Sequence, residues 1–227
     1  ELLSFAVGCM FGRFALEDFS ADRDNVIPVT EGDWFDDDIA SRFREFLKVA
    51  FGERHLQDNL AFVEETLGKS IRQYFLKDFY ADHVKRYKNR PIYWMFSSRP
   101  DGKGKFNALI YLHRYTPATL NHLLNSYLRE FQEKVRATIV GLEHRTDAAA
   151  AKQVDALRPV VTECEDYERN ILYPLALRQP EIDLDDGVLV NYLRFGRAVV
   201  RLKALEAKRS DVETWTWPVN PLRPEDA

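Results

Sequence analysis

The stretch HVKRYKNRPIYWMFSSRPDGKGKFNALIYLHRY, residues 83–115, decides the expected fold because the sequence period changes inside it. Pro91 ends a helical pattern, and IYWMFSS (92–98) then alternates bulky residues as a strand does. RPDGKGK (99–105) has the composition of a turn, and FNALIYLHRY (106–115) is a second apolar run that is rich in rings. Two such runs joined by a turn that contains glycine predict a β-hairpin or two strands of a small sheet.

This segment also gathers many positive charges. From Asp82 to Tyr115 there are eight Lys and Arg residues and only two acidic ones. Lysines and arginines on a turn neutralise phosphates, glycines let a backbone approach closely, and rings or Arg on strands contact bases or sugars. We therefore expect this segment to contact double-stranded DNA, with Arg114 and Tyr93 near groove edges or sugars. The candidate DNA-binding residues are Lys85, Lys88, Arg90, Tyr93, Arg99, Lys103, Lys105 and Arg114.

The same segment also has a purely structural interpretation. Its rings would then be mostly core and its charges a solvated rim; the rings in question are Tyr93, Trp94, Phe96, Tyr111 and Tyr115. The rings of two strands cannot all face water, so alternation buries part of each strand and directs the Lys and Arg side chains outward. The helix end HVKRYKNR and the turn SSRPDGKGK are therefore expected to share one basic face.

Helical periodicity precedes this segment. Apolar faces predict helices over residues 2–11, 39–50, 54–67 and 70–87. Residues 18–29, DFSADRDNVIPV, are polar without a period and are expected to form a linker. The five carboxylates of EGDWFDDD (31–38) are expected to complement the dipole of the following helix rather than to bind a metal.

Two long apolar seams follow Pro117, with a reversal near Asp147. Their members step by threes and fours: Leu120, Leu124, Tyr127, Phe131, Val135, Ile139 and Leu142, then Val154, Leu157, Val161, Cys164, Tyr167, Ile171 and Leu175. Such seams predict an antiparallel helical hairpin of coiled-coil type. Pro159 is expected to kink or end the second helix, and Pro174 and Pro180 to close it.

Together these patterns predict an α+β protein that is mostly α. Residues 1–116 form a helical part with the basic β element, which is expected to recognise DNA. Residues 117–177 form the antiparallel helical hairpin. Residues 178–227 form a C-terminal tail that packs back.

Composition places the chain among ordinary globular proteins. It has 227 residues, 45% hydrophobic and 30% charged, with a net charge of −4. Cys9 and Cys164 lie far apart and match no metal-ligand spacing, which favours reduced thiols and a cytoplasmic location. No apolar run reaches the roughly 18–20 residues of a membrane span, so no membrane partner is expected. A first residue Glu1 instead of Met suggests an excised fragment or a processed chain.

Catalytic, cofactor and metal motifs are missing from the sequence, so no residue is assigned to those roles. It contains no G-x-S-x-G, P-loop, G-x-G-x-x-G or H-E-x-x-H pattern. Asp183, Asp185 and Asp186 stand before Gly187 as in a calcium loop, but the spacing fails and turn capping is the better interpretation. A free-standing nuclease would have to be built on Asp101 and Glu206.

Six segments carry a resemblance to a known family. They are ELLSFAVGCMFGRF, GDWFDDDIASRFREFL, YFLKDFYADHVKRYKNRPIYWMFSS, FNALIYLHRY, YERNILYPLA and IDLDDGVLVNYLRFG, in this order. Together they resemble the C-terminal half of the PglX family of adenine-specific DNA methyltransferases from BREX phage-defence systems. The resemblance implies S-adenosylmethionine as the cofactor of a parent enzyme whose N-P-P-Y-like and Gly-rich motifs lie upstream of Glu1. Similar regions of single-chain restriction-modification enzymes are associated with target recognition and helical scaffolding.

Two functions follow from these expectations. The preferred one is the DNA-recognition and scaffolding portion of a site-specific adenine DNA methyltransferase of a BREX system, with catalysis in the missing domain. The alternative is a helical protein-interaction module that docks another defence-complex subunit or a phage inhibitor. Salt-dependent DNA affinity that requires Lys103 and Lys105 separates the two.

Overall fold

A computed structural model describes residues 1–22 and 24–214 of the chain. The architecture is α+β and mostly helical, as predicted. The elements in chain order are α1 (Leu2–Met10), β1 (Val26–Pro28), α2 (Ile39–Phe51), α3 (Leu56–Leu67), α4 (Ile71–Lys77), α5 (Phe79–Arg86), β2 (Tyr93–Ser97), β3 (Asn107–Tyr111), α6 (Pro117–His122), α7 (Arg129–Glu143), α8 (Ala148–Tyr167), α9 (Tyr173–Arg178), α10 (Gly187–Phe195), α11 (Lys203–Glu206) and α12 (Arg209–Glu213). The segment WTWPVNPLRP, part of the predicted tail, lies outside the described residues.

The predicted β-hairpin is present and forms the centre of a three-stranded antiparallel sheet in the order β1-β3-β2. Tyr93 pairs with Tyr111 and Ser97 with Asn107, so the turn between β2 and β3 spans residues 98–106. Strand β1 occupies part of the stretch predicted as a linker. It has three residues, too few to show alternation, and it depends on pairing with the edge of β3.

A fourth extended segment lies along the outer edge of β2. Val199 forms an isolated antiparallel bridge with Phe96, and the Val200 N–H donates to the Met95 carbonyl at 2.8 Å. The Arg201 N–H then donates to the Pro100 carbonyl at 2.7 Å. Residues 199–201 therefore satisfy edge groups of β2 and bring the C-terminal part of the chain to the hairpin turn.

Helices cover both faces of the sheet. All five residues of β2 are buried. On one face the Tyr93 ring stacks on Phe11 with 5.1 Å between centroids. On the other face Trp94 and Phe96 meet the edge of Phe195 of α10 at 5.3 and 5.4 Å. Burial on both faces explains why the hairpin reads as a nearly continuous apolar run.

The helix predicted over residues 70–87 is divided at Asp78 into α4 and α5. Asp78 has φ −119° and ψ −39°, which departs from regular helix geometry. Ser70 caps α4 as its position predicts, because its hydroxyl accepts the Gln73 N–H. The division matters for the candidate site, since Lys77 ends one helix and Lys85 lies in the next.

The two seams form an antiparallel helical hairpin. Three ion pairs join its arms: Arg129–Glu168, Arg136–Glu165 and Arg158–Glu143. The residue numbers rise along one arm as they fall along the other, which is the pattern of antiparallel helices. Helix α8 continues through Pro159, so the boundary expected there is absent. Coiled-coil packing stays a prediction, because a π-helical turn interrupts each arm, at Leu123–Leu128 and at Glu168–Leu172.

The buried apolar residues follow the heptad spacing in the first arm and depart from it in the second. Leu124 and Phe131 are buried, as the heptad spacing predicts. In the second arm Val160 and Leu172 are buried, whereas Val161 and Ile171 are only half-buried. Leu172 ends the π-turn at Glu168–Leu172, which adds one residue to a turn and so shifts the phase at Ile171 and Leu172. Val160 precedes this π-turn, which therefore does not account for its burial.

No helix in residues 1–22 and 24–214 combines the length and the apolar character that crossing a bilayer requires.

The shifted phase predicts unequal costs for two neighbouring truncations. Leu172→Ala should lower the free energy of unfolding by about 2–5 kcal/mol because it opens a cavity in the core. Ile171→Ala should cost clearly less, and Leu177→Ala, at a side chain 66% exposed, close to nothing. Urea denaturation of the three variants measures this. Equal costs at Ile171 and Leu172 would support the uninterrupted heptad instead.

His83 predicts a pH dependence of the fold. Its Nε2 accepts the Ile92 and Tyr93 N–H groups, both at 3.2 Å, and so joins α5 to β2. Burial, together with Arg13 and Arg86, lowers the pKa of His83 to about 3. Below the ordinary pKa of about 6.5, His83 binds a proton in the unfolded chain but stays neutral in the folded chain. The free energy of unfolding therefore falls as the pH falls from about 6.5 towards 3.

The measurement compares unfolding free energies at pH 7 and pH 4.5 for the wild type and His83→Gln. Glutamine offers an acceptor oxygen and does not titrate. The variant should therefore lose about 2–3 kcal/mol less than the wild type over this interval, even if it is less stable at pH 7. His144→Gln, at an exposed position, serves as the control and should follow the wild type. Identical pH dependence of all three proteins would refute the role of His83.

Candidate nucleic-acid interface

A basic cleft of about 1030 Å³ lies where three distant parts of the chain meet. Its walls are α4 and α5, the β2–β3 turn, and the segment that follows residue 199. The basic residues that line it, all exposed, are Lys77, Lys85, Lys103, Lys105, Arg201 and Lys203. The floor is apolar and includes Tyr80 and Met95. This basic cleft concentrates positive charge on a chain whose net charge is −4.

The two acidic residues that line the basic cleft are both paired. Glu31 lies 3.5 Å from Lys105, and Asp101 accepts from Arg99 at 2.8 Å. Of the six basic residues, Lys105 alone forms an ion pair with a residue in the described part of the chain. The remaining five are therefore available to an anionic ligand.

Asp101 shapes the turn that carries two of these lysines. Its Oδ1 accepts the Lys103 N–H at 3.0 Å, and Gly102 adopts φ +74°, a conformation that favours glycine. The hydrogen bond from Lys103, with the positive charge of Arg99, lowers the pKa of Asp101. Asp101 is a turn-capping carboxylate.

Gly104 is required by close packing inside the same turn. A Cβ atom at this position would lie 2.8 Å from the Arg99 backbone nitrogen and would also meet the hydroxyls of Ser97 and Ser98. Because backbone atoms cannot move aside as a flexible side chain can, no larger residue fits without displacing the turn. The glycine therefore determines where Lys103 and Lys105 are placed.

The structure brings together three of the eight candidate residues and leaves the others outside the basic cleft. Lys85 of the helix end and Lys103 and Lys105 of the turn line it, which is part of the basic face expected for these two segments. The remaining basic candidates, Lys88, Arg90, Arg99 and Arg114, are exposed but are not among its lining residues.

Two candidates have structural surroundings that bear on their expected roles. The Arg114 Nη1 donates to the carbonyls of Phe11 and Asp22 at 2.9 and 2.8 Å, which ties it to the segment after α1. Tyr93 is 1% exposed and its ring lies between Phe11 and His83. A ring buried in this way cannot stack on a base without leaving the core.

Sequence reasoning missed half of the basic cleft, namely Lys77, Arg201 and Lys203. Lys77 is one of two basic residues of α4 and lies outside the basic run of residues 83–115. The stretch VVRLK (199–203) did carry one, since Leu202 is buried while its neighbours Arg201 and Lys203 are exposed. That alternation indicates an extended segment.

The acidic residues considered for metal chemistry serve as local partners. Glu206 accepts from Tyr192 Oη at 3.0 Å and pairs with Arg209 at 3.1 Å. Asp183 accepts the Asp185 N–H at 2.9 Å, as turn capping predicts. Within residues 1–22 and 24–214 there is no group of three or more His, Cys, Asp or Glu side chains suited to a metal ion.

Comparison with known proteins identifies relatives of this chain. It is 36% identical over 250 aligned residues to the adenine-specific methyltransferase BrxX of Escherichia coli O9:H4 (strain HS), covering 90% of the chain and 20% of BrxX. It is 33% identical over 227 residues to the adenine-specific methyltransferase PglX of Lacticaseibacillus casei (strain Zhang), covering 85% of the chain and 19% of PglX. The chain is homologous to one region of these BREX methyltransferases. It spans about a fifth of their length, and no family model matches it.

The basic cleft does not suit the S-adenosylmethionine that methyltransferase relatives imply. That cofactor carries a sulfonium cation, whereas the basic cleft presents six cationic side chains and two carboxylates that are already paired. Like charges in a confined space repel, so the residues described here favour an anionic ligand.

The close packing of Gly104 predicts a clear difference between two glycine substitutions. Gly104→Ala should lower the free energy of unfolding by about 1–3 kcal/mol because its methyl group overlaps the turn backbone. Gly141→Ala in α7 is the matched control: its Cβ meets nothing within 4 Å, and alanine favours a helix by about 0.5–1 kcal/mol. Urea denaturation compares them, and equal stabilities would mean that the turn yields easily.

Proposed function

We propose that this region grips the sugar–phosphate backbone of duplex DNA through the basic cleft. It thereby holds the duplex in register for site-specific adenine methylation by another part of a longer BREX methyltransferase. The observation that carries the proposal is the convergence of six exposed cations from three distant segments, with both neighbouring carboxylates neutralised.

Phosphate contact is the chemistry that such a site performs best. Each lysine or arginine that meets a phosphate releases condensed counterions, which gives affinity that depends on salt and not on base sequence. Backbone contacts of this kind fix the orientation of a protein on the duplex. An enzyme that methylates adenine must rotate its target base out of the helix, and a firm grip on flanking DNA supports that step.

The positive charge of the basic cleft indicates which ligands this region would bind and which it would not. S-adenosylmethionine and the extruded adenine would be bound outside this region, in the four fifths of the relatives that the chain does not cover. This region would supply binding energy and register. This region is expected to transfer no methyl group by itself.

The proposal predicts how the salt dependence of DNA binding responds to two substitutions. Changing Lys103 and Lys105 to Gln should lower the affinity for duplex DNA and make the plot of log K against log salt shallower by about two units, one per lost phosphate contact. Arg201→Gln with Lys203→Gln should act in the same way, because their side chains line the same site. Fluorescence anisotropy of a labelled duplex at several salt concentrations measures both.

The matched control changes two exposed lysines away from the basic cleft, Lys48 of α2 and Lys152 of α8, to Gln. This control removes the same total charge and should leave the slope nearly unchanged. If the control and the Lys103/Lys105 variant behave alike, the local arrangement of charge is irrelevant to binding and the proposal fails.

A protein-interaction role is the second candidate, and the distal half of the helical hairpin favours it. Ala150 and Val154 of α8 are buried but do not belong to the main core, so this half packs only within the hairpin. Val140 of α7 is 55% exposed there. Such a projecting pair of helices suits docking to another defence-complex subunit or to a phage inhibitor, and wild-type DNA affinity of the Lys103/Lys105 variant would favour this role.

A further inference from the structure

A carboxylate from the helical hairpin holds both ends of the β2–β3 turn. Glu163 of α8 accepts a hydrogen bond from the Ser98 hydroxyl at 2.6 Å and another from the Lys105 N–H at 2.7 Å. The same oxygen, Oε1, receives both. Ser98 follows β2 and Lys105 precedes β3, so one side chain closes the turn that carries Lys103 and Lys105.

Several hydrogen bonds shape the turn from within, such as those of Asp101 and Asn107, whereas the bonds to Glu163 attach it to α8. The Ser98 hydroxyl also accepts the Phe106 N–H at 3.1 Å, and the Ser98 N–H donates to the Phe106 carbonyl at 2.9 Å, so the serine joins the two strands where the turn begins. Among the described residues, Glu163 is the hydrogen-bond partner of the Lys105 N–H. Loss of the carboxylate would leave that exposed donor to water and would remove the hydrogen bonds between the turn and α8.

Electrostatics alone argues against a carboxylate at this position. A negative charge beside two phosphate-binding lysines weakens their attraction for DNA. The carboxylate favours DNA binding overall if its hydrogen bonds to the turn raise the affinity more than its negative charge lowers it. We propose that Glu163 is a positioning residue, which aims Lys103 and Lys105 at the DNA backbone by fixing the turn against α8; this role rests on the proposed function.

The inference gives the helical hairpin a part in DNA binding without any contact to DNA. The two hydrogen bonds connect α8 to residues more than fifty positions earlier in the chain. The helical hairpin then holds the turn in place through α8, and this contact is its scaffolding role.

The test compares three variants that separate charge from geometry. Glu163→Ala removes both. Glu163→Gln removes the charge but keeps an oxygen that accepts hydrogen bonds. Asp166→Ala removes a carboxylate one helical turn away, which lines the same surface groove and makes no hydrogen bond to the turn. Two properties are measured for each: affinity for a labelled duplex, and amide hydrogen exchange of Lys105 without DNA, with Leu193 as a remote reference.

Loss of the hydrogen bonds and loss of the negative charge should change the DNA affinity in opposite directions. Glu163→Ala should weaken DNA binding by about two- to tenfold and speed exchange at Lys105 while exchange at Leu193 stays unchanged. Glu163→Gln and Asp166→Ala should bind DNA as tightly as the wild type or more tightly, with exchange at Lys105 close to the wild-type rate.

Two outcomes would overturn the inference, and they differ from a failure of the proposed function. If Glu163→Ala binds DNA more tightly than the wild type, Glu163 is only an acidic neighbour of the site. If exchange at Lys105 is unchanged in Glu163→Ala, the carboxylate does not hold the turn. If instead the wild type has no salt-dependent affinity for DNA, the proposed function fails and the aiming role with it, whereas faster exchange would still assign Glu163 as the anchor of the turn.

Discussion

Burial of β2 on both faces is the constraint around which the rest of the chain is arranged. Every side chain from Tyr93 to Ser97 is removed from water, so each face and each edge of the strand needs a cover. Phe11 covers one face and Phe195 the other, while β3 and residues 199–201 take the two edges. Segments almost two hundred residues apart are thereby brought to one strand. The basic cleft lies where these covering segments meet.

This arrangement explains how an acidic chain presents a basic site. The rings of the central hairpin enter the core, and the cations that flank them remain at its border. Lys85 approaches from the helix before the strand, Lys103 from the turn after it, and Arg201 from the segment on its edge. The two carboxylates that line the basic cleft, Glu31 and Asp101, are paired with Lys105 and Arg99. The local field is therefore positive although the overall charge is −4.

The relatives that contain a similar region are larger proteins. BrxX and PglX are about five times the length aligned here, and both carry the name of adenine-specific methyltransferases. A region of this size with its own core suits the work of gripping and bracing, which needs rigidity. Close packing at Gly104 and the hydrogen bond to Glu163 hold the turn. The helical hairpin supports it through α8.

The sequence by itself determined the features that depend on neighbours along the chain. Periods of three to four residues predicted the long helices and the antiparallel hairpin of α7 and α8. The change of period after Pro91, with the Gly-bearing turn, predicted β2 and β3. Each of these follows from local geometry, which a single stretch of residues encodes. The expected alternation of buried and exposed residues along these strands is wrong, because both faces of the sheet are covered.

Tertiary structure alone decided the rest. Strand β1 is too short to show a period and exists because β3 offers it an edge. The burial of Leu172 in place of Ile171 arises from a π-turn, and Tyr93 is in the core because Phe11 reaches it. Lys77, Arg201 and Lys203 join Lys85 only when three distant segments meet. These outcomes depend on contacts between residues far apart in sequence, and no local pattern contains that information.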